Sequence, residues 1–92
     1  MPARRLRIYG RVQGVGYRAF VAEEAQQLGL GGWVRNRADG SVEAVVSGNG
    51  ATIATLIAAC RRGPRFSAVE RVEEASGEEA NLPVVFEIRP TV

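Results

Sequence analysis

The order in which hydrophobic periods follow one another constrains this chain more than any other feature. Arg4-Leu-Arg-Ile-Tyr-Gly10 alternates, with Leu6 and Ile8 on one face and Arg5, Arg7 and Tyr9 on the other, as a half-buried strand does. Arg18 to Leu28 then changes period. It lacks Gly and Pro, and Val21, Ala25 and Leu28 recur at helical spacing before Gly29, a residue suited to end a helix. Two β-prone runs follow, Gly32 to Arg37 and Ser41 to Val46, joined by Ala38-Asp39-Gly40, in which Asp-Gly is a hairpin signal. Val42, Ala44 and Val46 share one face of the second run. Ser47 to Gly50 breaks the chain. Thr52 to Arg62 returns to helical spacing through Ile53, Leu56, Ile57 and Cys60, with Arg61 and Arg62 complementing the helix dipole and Gly63-Pro64 as the stop. Phe66 to Glu74 reads as a strand in which Val69 and Val72 break the two-residue period, the mark of a bulge. Ser76 to Pro83 reads as a loop, and Val84 to Arg89 as a last strand with Phe86 and Ile88 on one face.

This order, β-α-β-β-α-β with a further short C-terminal strand, predicts an α+β fold of the ferredoxin-like kind: two helices on one face of an antiparallel sheet. At 92 residues the chain is sized for one domain, taken as 1–92.

Composition removes several kinds of chemistry. There is no histidine and one cysteine, so Ser-His-Asp and Cys-His arrangements, a zinc site and a disulfide framework are all excluded. Cys60 lies on the apolar stripe of its helix and reads as core, with no base to activate it. The N-terminus carries no signal-like apolar run and no stretch approaches membrane-spanning length. The expectation is a cytoplasmic protein without membrane contact. Charge is uneven: residues 1–37 hold seven arginines against two acids, and the remainder five against eight, which points to an anionic ligand near the N-terminal part.

The stretch between the first strand and the first helix has glycines at 10, 14 and 16. Such a loop can aim several backbone N–H groups at one anion, helped by the positive end of the following helix. Arg18, at the helix start, can bind a phosphate bidentately. The spacing fits neither a Walker A loop nor the dinucleotide fingerprint. Read generically, it is equally compatible with a tight turn. Asn36, late in the second strand, could serve local backbone hydrogen bonding or chemistry. Arg11 lies inside the loop and could steer an anion or simply be solvated. Arg35, Arg37 and Trp33 have parity opposite to Asn36 and are expected on the other face.

Gly10-Arg-Val-Gln-Gly-Val-Gly-Tyr-Arg18 and Gly32-Trp-Val-Arg-Asn36 together resemble the two signature motifs of the acylphosphatase family, at the expected separation. Tyr17 stands where that family often has phenylalanine, and the likeness is weakest over Ser76 to Pro83. The resemblance implies hydrolysis of small-molecule acyl phosphates to a carboxylate and inorganic phosphate, which would also inhibit as product. It implies that Gln13, Gly14, Val15, Gly16, Tyr17 and Arg18 bind the phosphoryl group through backbone amides. Arg18 would be its principal side-chain ligand, and Asn36 would hold the attacking water. No metal and no cofactor are implied. The water's proton would pass to a substrate phosphate oxygen.

Two rival readings keep the fold. An RNA-recognition domain would show stacking aromatics on the open sheet face, where this chain offers only Tyr9 and Trp33. An acylphosphatase-like domain can also open a larger hydrogenase-maturation protein, but a free-standing enzyme is the expectation for a sequence ending at Val92. No nucleic-acid partner is expected, and the size and balanced charge suit a monomer.

Overall fold

The computed structural model describes residues 3–77, 79 and 81–92. Its elements run β1 (Ala3–Arg11), α1 (Tyr17–Gln27), β2 (Gly31–Asn36), β3 (Val42–Ser47), α2 (Gly50–Arg62), β4 (Ala68–Ser76) and β5 (Glu87–Ile88). The sheet order is β4-β1-β3-β2-β5. All neighbours are antiparallel except β2 and β5, which are parallel, so the sheet is mixed. The entirely antiparallel expectation fails only at this last strand, because the segment after β4 crosses to the opposite edge and joins β2 running the same way.

Alternation places Leu6, Ile8, Val34, Val42, Ala44 and Val46 beneath the helices. There they pack with Val21 and Ala25 of α1 and with Ile53, Leu56, Ile57 and Cys60 of α2. Cys60 is core, as its place on the stripe requires. No helix among the described residues is long and apolar enough to cross a membrane.

Boundaries moved where side chains, which periodicity does not register, intervene. Helix α2 starts at Gly50 rather than Thr52 because the Asn49 side chain accepts from Ala51 N at 2.8 Å and Thr52 N at 3.4 Å. Strand β4 starts at Ala68, not Phe66. Both the backbone N–H and the hydroxyl of Ser67 donate to Pro64 O, and this turn leaves Phe66 exposed. The expected bulge is present: Tyr9 pairs with Arg71 but Gly10 with Val69, leaving Glu70 as the extra residue. That insertion lets Val69 and Val72 both pack against the core. Of the loop expected at Ser76–Pro83, Glu78 and Ala80 lie outside the described residues.

The face away from the helices is a charged network. Glu43 is buried there and accepts from Arg5 Nη1 at 2.7 Å, Arg35 Nε at 2.9 Å and Arg37 Nη1 at 2.9 Å. Burial alone would push this carboxyl up, but the hydrogen bonds from Arg35, Arg37 and Arg5 hold it below the usual carboxylate range. A group depressed by folding contributes its full stability above the unfolded carboxyl's pKa, about 4.3, and loses it as pH falls through the lower folded value. Glu43→Gln is expected to cost about 2 kcal/mol at neutral pH, less than for fully buried pairs because the arginines keep partial hydration. Below about pH 4 the melting temperature of the parent should fall more steeply than that of Glu43→Gln; parallel pH curves would contradict this. Trp33 is also on this face and is 2% exposed. The guanidinium groups of Arg35 and Arg89 lie 4.5 and 5.0 Å from its ring centre, and its indole N–H donates to Glu79 at 3.2 Å. Tyr9 is covered by Arg71 at 3.8 Å. Trp33 is therefore closed to stacking, and Arg71 occupies one face of the Tyr9 ring.

Candidate active site

The loop between β1 and α1 is shaped by two left-handed residues. Gly14 has φ 73° and Gly16 has φ 75°. A Cβ added at either would meet no atom within 4 Å, so glycine is required there by the backbone angle and not by crowding. Gly16 is the N-cap of α1 and makes no side-chain cap. The first loop-to-helix bond is Phe20 N to Gly16 O at 3.0 Å. Among the described residues, none of the backbone N–H groups from Gln13 to Ala19 reaches a backbone acceptor. Folded chains rarely leave so many consecutive donors unpaired, and at a helix N-terminus such a cluster is suited to an anion.

Five of these residues, Gly14 and Gly16 to Ala19, border a cleft of about 220 Å³ that Val12, Asn36 and Ile88 also line. Of the residues singled out from sequence, Gly14, Gly16, Tyr17, Arg18 and Asn36 therefore meet at one place. Gln13 and Val15 do not line it. Val15 packs partly buried against the core. The Gln13 side chain turns to the β2–β3 hairpin, where its amide donates to Arg37 O at 2.8 Å and Ser41 O at 2.9 Å. Arg11 is exposed and also off the cleft.

Arg18 is set apart from most arginines in the chain. Among the described residues every arginine except Arg11, Arg18 and Arg65 has a carboxylate partner. Arg18 has only a 3.4 Å contact from Nη1 to the carbonyl of Arg89. It is a cation with bonding capacity to spare, on the wall of a cleft lined by no carboxylate. Asn36 is complementary to it. Its Oδ1 is buried and has no partner among the described residues, which is costly for a polar atom unless something binds there. The strand ladder, together with Val92 N donating to Asn36 O at 3.2 Å, fixes its backbone.

Tyr17 lines the cleft, while its side chain is buried and its hydroxyl donates to Cys60 O at 2.8 Å. That carbonyl belongs to the last turn of α2, where intrahelical donors run out. Burial first, and then the neighbouring Cys60, push the Tyr17 phenol well above its usual range, so it stays a neutral donor. Burial also pushes the Cys60 thiol up to about 11. Tyr17→Phe would leave the carbonyl unpaired at a cost of about 1 kcal/mol. The expected fall in melting temperature is roughly 4–8 °C, and an unchanged value would show that the hydroxyl bond contributes nothing.

Three parts of the cleft were not legible from spacing. Val12 and Ala19 join it by bordering the loop. Ile88, 48% exposed, comes from β5, which periodicity showed only as one more alternating strand. Among the described residues no group of three or more His, Cys, Asp or Glu side chains is placed to hold a metal.

The family model described as Acylphosphatase matches residues 4–88. An acylphosphatase of Azorhizobium caulinodans is 52% identical over 85 residues, covering 92% of this chain and 91% of its own. The crystal structure of an acylphosphatase from Bacillus subtilis superposes with a TM-score of 0.91 at 36% identity, over 97% of this chain and 99% of that one. Full-length HypF in its phosphate- and nucleotide-bound form matches 98% of this chain with a TM-score of 0.87 at 29% identity, but only 12% of HypF is covered. With a family model that spans the glycine loop, both helices and Asn36, and a relative matched over nine-tenths of its length, the chain belongs to the acylphosphatase family.

Proposed function

We propose that this chain hydrolyses acyl phosphates by in-line attack of water on the phosphoryl group. One observation carries the reading: loop amides without backbone acceptors, an arginine without a carboxylate partner and Asn36, whose buried amide oxygen has no donor among the described residues, all line one cleft. The amides and Arg18 bind the phosphoryl oxygens and stabilise the charge that develops on them. Asn36 Oδ1 accepts a hydrogen bond from the water and turns a lone pair of its oxygen toward phosphorus. The new phosphorus–oxygen bond forms as the bond to the acyl oxygen breaks, and that electron pair leaves on the carboxylate. A carboxylate departs without a proton, so no general acid is needed. The water's proton passes to a phosphate oxygen, and the products are the carboxylate and dihydrogen phosphate. Arg18 and the amides carry the charge-neutralising role a metal takes in many phosphoryl transfers.

Benzoyl phosphate hydrolysis, followed with EDTA present and with inorganic phosphate as competitor, tests this. Turnover that resists the chelator and is competitively inhibited by phosphate is expected. Loss of activity with EDTA, or no turnover, would contradict the reading.

A further inference from the structure

We infer that Gln13 is a positioning residue that sets the distance between the phosphoryl group and the attacking water. This rests on the reading of Asn36 as the water's holder. In-line attack needs two separately built parts in register: the loop and Arg18 on one side, and Asn36 on β2 on the other. Among the described residues, 12–16 make no backbone hydrogen bonds that would fix the loop from within, apart from Gly16 O accepting the first helical bond. Gln13 supplies a side-chain connection. Its Nε2 places its two N–H groups on Arg37 O and Ser41 O, at 2.8 and 2.9 Å. Arg37 O lies one residue beyond Asn36, at the end of β2, and Ser41 O one residue before β3 starts, so Gln13 holds both sides of the hairpin where Arg37 N itself bonds Ser41 O at 2.9 Å. With both protons committed, the Gln13 amide has no donor left for phosphate. It is off the cleft wall, and its effect on the reaction passes through the hairpin that carries Asn36.

The test is a double-variant cycle on the full chain with benzoyl phosphate as substrate. Gln13→Ala is expected to lower kcat about 10- to 100-fold, the effect of losing a group that orients one in contact with substrate. The inhibition constant for inorganic phosphate should stay within about twofold, because loop and Arg18 bind it without the hairpin. In an Asn36→Ala background, Gln13→Ala should cost nothing further, since no positioned water remains to misplace. If Gln13→Ala does not fold, Gln13→Met, similar in length but without donors, takes the same measurements. An unchanged kcat, phosphate inhibition weakening in step with kcat, or losses that multiply in the double variant would each overturn the proposal. A wild-type rate in Asn36→Ala alone would overturn the reading of Asn36, and this proposal with it, which separates that failure from a failure of Gln13 alone.

Discussion

Arg18→Ala should lower kcat/KM for benzoyl phosphate by about 1,000-fold or more, a loss of about 4 kcal/mol of transition-state stabilisation, because the cleft has no second cation to replace it. Phosphate inhibition should be lost with it, since the same side chain binds the ground-state anion. The fold should survive. Arg18 has no carboxylate partner among the described residues, and its one contact, 3.4 Å to the Arg89 carbonyl, is long. Circular dichroism and a melting temperature within a few degrees of the parent would show that binding, not folding, was removed. Arg18→Lys should recover only part of the activity, because an ammonium cannot span two phosphoryl oxygens as a guanidinium does.

Asn36→Ala should separate the two halves of the site. It is expected to lower kcat about 100- to 1,000-fold while phosphate still inhibits at nearly the parental concentration, the signature of a group used only in the transition state. Stability should hold or rise. Oδ1 has no partner among the described residues, so truncation orphans nothing there and removes a buried polar atom that folding had to desolvate. A gain in melting temperature together with a collapse of kcat would mark a residue kept for function at some expense to stability. A parallel loss of phosphate affinity would place Asn36 among the anion's ligands instead.

How far the sequence could be read depended on the range of the forces involved. Helix and strand periods report burial against a core, so Leu6, Ile8, Ile53 and Leu56 announced their elements correctly. Single polar atoms decided what periodicity could not. Asn49 moved the start of α2, and Ser67 delayed β4. The buried state of Trp33 depends on Arg89 and Glu79, which arrive from the last part of the chain. In the cleft, Gly14, Gly16 and Arg18 could be picked out from local features, left-handed turns and an arginine at a helix N-terminus, whereas Asn36 stood out only through the resemblance to the family's second motif. Gln13 and Ile88 were not legible in the same way. The Gln13 side chain acts across a gap of 24 residues on the hairpin, and Ile88 enters by a parallel pairing that no nearby turn signals.

The proposed mechanism turns on attack at phosphorus by a water that Asn36 holds. Hydrolysis of benzoyl phosphate in water enriched in oxygen-18 tests it most directly. One labelled oxygen is expected in the inorganic phosphate, and none in the benzoate beyond the uncatalysed background. Label in the benzoate would mean attack at the carbonyl carbon, and would contradict the roles of Asn36 as water holder and of the glycine loop as phosphoryl cradle.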